Sequence, residues 1–230
     1  MSEISVKITD RDEKLFNFLH RLKYASIDQM AQYLCTTNDA MMKRLSLLSR
    51  AGYLERTYYL EGEARVQRRV VYSNGYEVRK NYEKKSQRRV KINFITLKHH
   101  LLINDVFINL VKSGQVKEEN IVTEREIYKE RTGIITKKKL TKVSDLVLKI
   151  GERLVAIEVE KTKKVKDDLI STFNNLDYNT EYYMVVYICA TKPICEYVKK
   201  IANEEGKTFI EVYTLKEFYK EGIKLFNLNQ

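Results

Sequence analysis

Acids stand at several positions where an apolar strand pattern calls for aliphatic side chains. Asp145 interrupts Val143-Ser144-Asp145-Leu146-Val147-Leu148, and Glu158 and Glu160 lie in Leu154-Val155-Ala156-Ile157-Glu158-Val159-Glu160. The two-residue period of a strand puts Val155, Ile157 and Val159 on one face and Ala156, Glu158 and Glu160 on the other. Buried carboxylates are costly unless a cation or a hydrogen-bonding partner neutralises them. If they converge, Asp145, Glu158 and Glu160 present the hard oxygen ligands that suit Mg²⁺ or Mn²⁺. Lys161 follows directly, but a regular strand points it to the opposite face. A bulge would correct that, or Lys163 would reach in.

The second chemical feature is charge. The sequence has 230 residues and a net charge of +11, with 42 Lys and Arg against 31 Asp and Glu. Residues 61–91 hold ten Lys and Arg and four Glu, so over half of the excess lies in this stretch. Smaller clusters follow at Lys137, Lys138, Lys139 and Lys142, and at Lys161, Lys163, Lys164 and Lys166. Clustered cations raise the local potential for anions, and nucleic acid is the first partner they suggest.

The elements that must position this charge can be read from periodicity. Leu15, Phe16, Phe18, Leu19 and Leu22 recur at helical spacing after Thr9, an N-cap followed by Asp10, Asp12 and Glu13. Ser26-Ile27-Asp28-Gln29 has capping-box spacing and starts a short helix through Leu34. A third helix runs from Thr36 or Thr37 to Arg50, with Met41, Leu45 and Leu48 as its apolar stripe and Gly52 closing it. Tyr53–Leu60 and Val66–Tyr72 then read as two strands around a turn at Glu61-Gly62-Glu63. Three helices followed by a basic hairpin is the order of a winged helix-turn-helix, predicted for residues 1–90. In that design the third helix enters the major groove and the hairpin follows phosphates. Asn38, Lys43, Ser46 and Arg50 would then face bases, and Arg65, Arg68 and Arg69 the backbone. The competing use of such a domain is protein contact alone.

Residues 91–230 read as a second domain. An apolar helix spans about Phe94–Val111, then strands are expected at Glu124–Lys129, Val143–Ile150, Arg153–Glu160, Tyr182–Cys189 and Phe209–Tyr213. Helices are expected at Lys166–Tyr178, Ile194–Glu204 and Lys216–Tyr219. The fold class is therefore α/β (α+β), with a mixed-sheet domain following the N-terminal domain in the chain. With Asp145 on the second strand and Glu158 on the third, this half resembles the PD-(D/E)xK nuclease-like superfamily. The resemblance implies a metal-dependent endonuclease site of Asp145, Glu158, Glu160 and Lys161. The chain departs from the pattern, because Glu160 stands where the superfamily has its lysine. That departure implies a nuclease-like domain that has lost catalysis.

The winged helix, the helix containing His99-His100-Leu101-Leu102-Ile103-Asn104-Asp105-Val106, and the later Ser144-Asp145 and Glu158-Val159-Glu160-Lys161 together resemble the replication-relaxation family of plasmids and other mobile elements. The resemblance implies a DNA-binding protein acting in replication, mobilisation or DNA relaxation, and the unpaired cysteines suit reduced thiols in a cytoplasmic setting. Its partners would be double-stranded DNA, a relaxase or replication protein, and a second copy in a homodimer. DNA binding would need no cofactor; Mg²⁺ or Mn²⁺ would be needed only by an active nuclease site. The alternatives are an endonuclease or nickase, and a winged-helix transcriptional regulator.

Other chemistries are poorly served. His99 and His100 are adjacent in a helical pattern and point about 100° apart, which makes them poor co-ligands; His100 and Asn104, at i and i+4, are expected to hydrogen-bond at the domain interface. No Gly-rich phosphate loop is present. The three cysteines form no C-x-x-C pair and read as core or surface thiols. No apolar run approaches the roughly 18–20 residues of a bilayer span, and the first residues lack a signal-peptide apolar segment.

Overall fold

The structure, a computed structural model, describes residues 6–62, 67–81, 89–132, 143–177, 182–222 and 224. It is mixed α/β, with a three-stranded and a five-stranded sheet in two compact units, Met1–Asn104 and Asp105–Gln230.

The first unit runs α1 (Asp10–Leu22), β1 (Ala25–Ser26), α2 (Ile27–Tyr33), α3 (Asn38–Arg50), β2 (Leu54–Glu61), β3 (Gln67–Asn74) and α4 (Tyr76–Asn81), and ends within α5 (Leu97–Ser113). The capping signals act as expected. Thr9 and Asp12 cap α1 reciprocally, as Ser26 and Gln29 cap α2. Leu15, Phe18, Leu19, Met30, Met41, Leu45 and Leu48 are buried together in the core, with Phe18 stacked on Tyr33 at 4.3 Å. At the end of α3 the amide of Tyr53 donates to the Leu48 carbonyl, and Gly52 takes φ +79°, a left-handed closure that favours glycine. The hairpin β2–β3 pairs from Leu54↔Asn74 to Glu61↔Gln67, and β1 adds to β3 through Ala25↔Tyr72.

The second unit continues with β4 (Ile121–Thr123), α6 (Glu124–Thr132), β5 (Leu146–Ile150), β6 (Arg153–Glu160), α7 (Lys166–Asp177), β7 (Tyr182–Cys189), α8 (Lys192–Glu204), β8 (Ile210–Thr214) and α9 (Leu215–Glu221). The sheet order is β4-β5-β6-β7-β8; β4, β5 and β6 pair antiparallel, and β6, β7 and β8 pair parallel. Ala156, Val185, Tyr187, Cys189 and Val212 pack with Leu169, Phe173 and Leu176 of α7 and with Cys195, Val198, Ile201 and Ala202 of α8. The opposite alternation, Val155, Ile157 and Val159, is equally buried, so both faces of the central strand are covered.

Two sequence expectations change. The strand expected at Glu124–Lys129 is helix α6, and the strand is the shorter β4 just before it. Glu126 accepts from the Thr123 amide and hydroxyl, so a Thr-x-x-Glu cap starts a helix where a strand was expected. The division expected at 90/91 falls instead inside α5. Gln29 donates to the Leu101 carbonyl at 2.7 Å and Asn104 donates to the Tyr24 carbonyl at 2.8 Å, tying the start of α5 to the first unit. Asn104 therefore bonds within the first unit, while His100 Nδ1 lies 3.0 Å from the Thr96 carbonyl of its own helix. Among the described residues no helix is long and apolar enough to cross a membrane.

Candidate functional sites

The first unit presents its charge on α3 and the hairpin. With Met41, Leu45 and Leu48 buried, the helical period turns Lys43 and Arg50 to the outward face with Ser46 beside them. Lys43 and Arg50 are exposed and Ser46 is half-buried. Asn38 is exposed at the helix start, where its amide donates to Asp28 of α2. Arg44, one residue from Lys43, has a structural task. Its Nε donates to Asp12 Oδ1 at 2.9 Å and its Nη2 to Asp12 Oδ2 and the Lys7 carbonyl, joining α3 to α1. Burial raises the Asp12 pKa, but hydrogen bonds from Arg44 and Thr9 outweigh it and hold the carboxyl below its ordinary value.

On the hairpin, Arg68 stacks over Tyr58 with its guanidinium carbon 4.0 Å from the ring centre. Arg69 is exposed and donates to Glu61 at 3.2 Å, an ion pair worth little in water and readily exchanged for a phosphate. Arg65 lies outside the described residues, as do Lys137, Lys138, Lys139 and Lys142. Part of the basic stretch is internal: Arg79, 4% exposed, donates to Glu55 at 2.8 Å, while Arg89, which pairs with the same carboxylate at 2.8 Å, is itself exposed. Arg79 holds the fold rather than a ligand. The sequence shows the charge but not this division of labour.

In the second unit the acids share one sheet face. The ladder pairs Leu146 with Ile157, so Asp145 and Glu158 stand next in line; Glu158 then pairs with Tyr187 and Glu160 with Cys189 on β7. Glu158 and Glu160 are 2% and 3% exposed, on the face covered by α7 and α8. Burial pushes the Tyr187 hydroxyl well above its ordinary pKa, and the charges of Glu158, Glu160 and Asp145 add to the shift. The three carboxylates are therefore electrostatic neighbours.

The lysine expected beside them is a different one. Lys161 is half-buried just beyond the end of β6, and Lys163 stands over the Tyr197 ring at 4.2 Å. Lys164 makes the ion pair with Glu160. Its spacing of four from Glu160 was the available signal, hidden because strand alternation no longer applies once the chain turns at Lys161.

At least two of the three carboxylates already have partners. Asp145 Oδ2 accepts from the Val159 amide at 2.8 Å, and Glu160 is closed by the Lys164 ammonium. Among the described residues no group of three or more His, Cys, Asp or Glu side chains is placed to hold a metal. Comparisons of the chain with protein-family models, curated proteins and solved structures found no match.

Proposed function

We propose that the protein is a double-stranded-DNA-binding protein of a plasmid or other mobile element, acting in replication, mobilisation or DNA relaxation. Residues 1–90 would form a winged helix-turn-helix, and the second unit a PD-(D/E)xK-like scaffold that works without catalysis. The observation that carries the reading is the helix–strand–helix–helix–hairpin order, with Lys43 and Arg50 on the outward face of α3 and Arg68 and Arg69 exposed on the hairpin. Backbone contacts from such cations supply affinity, and side chains on the helix supply sequence choice. The resemblance of the whole chain to the replication-relaxation family supports the same context.

In this reading Lys43, Ser46 and Arg50 meet base edges, with Asn38 beside them if DNA displaces its bond to Asp28. Arg68 and Arg69 meet phosphates, and the partners would include a relaxase or replication protein and a second copy of the chain. The test is selection of a binding site from a random duplex library, followed by gel shifts. Lys43→Ala or Ser46→Ala should cost roughly 1–3 kcal/mol at particular base positions, whereas Arg68→Ala should weaken every duplex alike. Variants that bind as the native chain does would sink the assignment. Metal-dependent nicking of supercoiled plasmid, lost in Asp145→Ala, would replace this reading with the endonuclease.

A further inference from the structure

We propose that the outer half of the β2–β3 hairpin holds an unpaired DNA strand, whose bases stack on Tyr58, Leu60 and the guanidinium of Arg68. The inference rests on the DNA-binding reading of the first unit, and goes beyond it in naming a melted or single strand as the form of DNA that this face takes.

Register separates the hairpin into two faces, because directly paired residues of an antiparallel ladder point to the same side. Arg56↔Tyr72, Tyr58↔Val70 and Leu60↔Arg68 share one face; Glu55↔Ser73, Thr57↔Val71, Tyr59↔Arg69 and Glu61↔Gln67 share the other. The second face is covered in part, with Val71 buried beside Tyr24 and Leu97 and with Tyr59 and Leu101 packed against them. It also carries the acids, Glu55 bonded to Arg79 and Glu61 to Arg69. None of the paired residues on the first face is acidic. The base of that face is closed by Tyr72, 4% exposed, with the Arg56 guanidinium carbon 5.8 Å from the ring centre. Its outer half is open: Tyr58 is 47% exposed, Leu60 is 72% exposed, and Arg68 is exposed beside them.

These three side chains decide what fits. A duplex offers a hairpin its phosphates, which arginines alone would serve, and keeps its base faces stacked on one another. It would leave a tyrosine ring and a leucine together in water, an apolar patch with nothing to cover it. An unpaired strand presents base faces and phosphates at once, and stacking on an aromatic ring tolerates any sequence because every base has a π face. Arg68 suits this by geometry as well as by charge. Its guanidinium carbon is 4.0 Å from the Tyr58 ring centre, so cation and ring form one continuous patch. A base stacks on a guanidinium plane as it does on a ring, while the N–H edge stays available for a phosphate. A second copy of the chain fits less well, because an isologous contact would set Arg56 and Arg68 against their own counterparts.

The experiment uses the full chain, with an oligothymidylate strand and a blunt duplex of mixed sequence and equal length as probes, both followed by fluorescence anisotropy at one salt concentration. Tyr58→Ala/Leu60→Ala should weaken the single strand about 5- to 150-fold, the loss of one stacked base, and leave the duplex within about threefold. Arg68→Lys, which keeps the charge but not the plane, should divide the two probes in the same direction, and Tyr58→Phe should bind as the native chain does. A strand with 5-iodouracil at its centre should cross-link to Tyr58 on irradiation. If the double variant melts below the native chain, Tyr58→Ala alone and the cross-link decide. Equal weakening of both probes, or a cross-link outside the hairpin, overturns the inference and leaves duplex binding standing. A native chain that binds the single strand through Tyr58 but not the duplex keeps the inference and removes the double-stranded reading; one that binds neither removes both. The inference is also overturned by tighter binding to oligouridylate RNA, or by a double variant that keeps native strand binding and sediments as a smaller species, which would give the face to a second copy.

Discussion

Arg44 ties α3 to α1 in the first unit, and Arg44→Met tests that role. Three hydrogen bonds are lost, two to Asp12 and one to the Lys7 carbonyl. Breaking a buried ion pair from one side costs about 3–5 kcal/mol, because the remaining charge is stranded. Two features reduce that figure here. Asp12 keeps the Thr9 amide at 2.8 Å and the Thr9 hydroxyl at 2.7 Å, and the Arg44 side chain is 29% exposed, so water can replace part of it. The expected loss is about 2–3 kcal/mol. A urea titration at neutral pH would show it as a lower midpoint with an unchanged slope.

The pH dependence gives the sign. The Asp12 pKa is lowered in the folded state, so its contribution is fully present above the unfolded carboxyl pKa of about 3.9 and is lost as pH falls through the folded value. The gap between native chain and variant should therefore close in acid. Asp12→Ala combined with Arg44→Met should cost less than the sum of the two by about 1–2 kcal/mol. Additive losses, or a gap that persists at low pH, would refute the ion pair as the tie between α1 and α3.

Gly75→Ala should be severe. A Cβ there would lie 2.2 Å from the Gly52 carbonyl oxygen and 2.6 Å from the Tyr53 carbonyl carbon, both backbone, so a loss of about 3 kcal/mol is expected by chemical denaturation. Tyr187→Phe should leave stability unchanged or raise it by about 1 kcal/mol, because the buried hydroxyl has no hydrogen-bond partner among the described residues; a clear loss would show that the hydroxyl serves the acids. Thiol titration of the native chain should label exposed Cys35 quickly and leave Cys189 and Cys195 until unfolding, since burial raises both of their pKa values. Rapid modification of all three would contradict the packing of α8 on the sheet.

The order of elements was legible wherever a cap and an apolar stripe agreed, as at Thr9 with Leu15 and Leu19, or Gly52 with Leu48. The acids were legible too, because Glu158 and Glu160 break an otherwise aliphatic strand. What escaped depended on contacts between residues far apart in sequence or on the path of a turn. The bond from the Asn38 amide to Asp28 could not be read from the string. Arg79 looks like surface charge until Glu55 is seen beside it. Lys164 was not singled out beside Lys161 and Lys163, because its approach to Glu160 depends on the path of the turn after the last strand residue. Helix α6 was missed for a local reason, the Thr123–Glu126 cap, which was present in the string.

The salt dependence of binding tests the central claim most directly. A labelled duplex carrying the selected site would be titrated by fluorescence anisotropy against the native chain and against Arg68→Ala/Arg69→Ala, across a series of salt concentrations. Two phosphate contacts contribute about 1.8 to the slope of log affinity against log salt, or roughly 12-fold in affinity over a fourfold rise in salt. The account predicts that the double variant loses about that much slope while melting as the native chain does. A folded variant with the native slope and affinity would contradict it, and would place any DNA contact away from the hairpin.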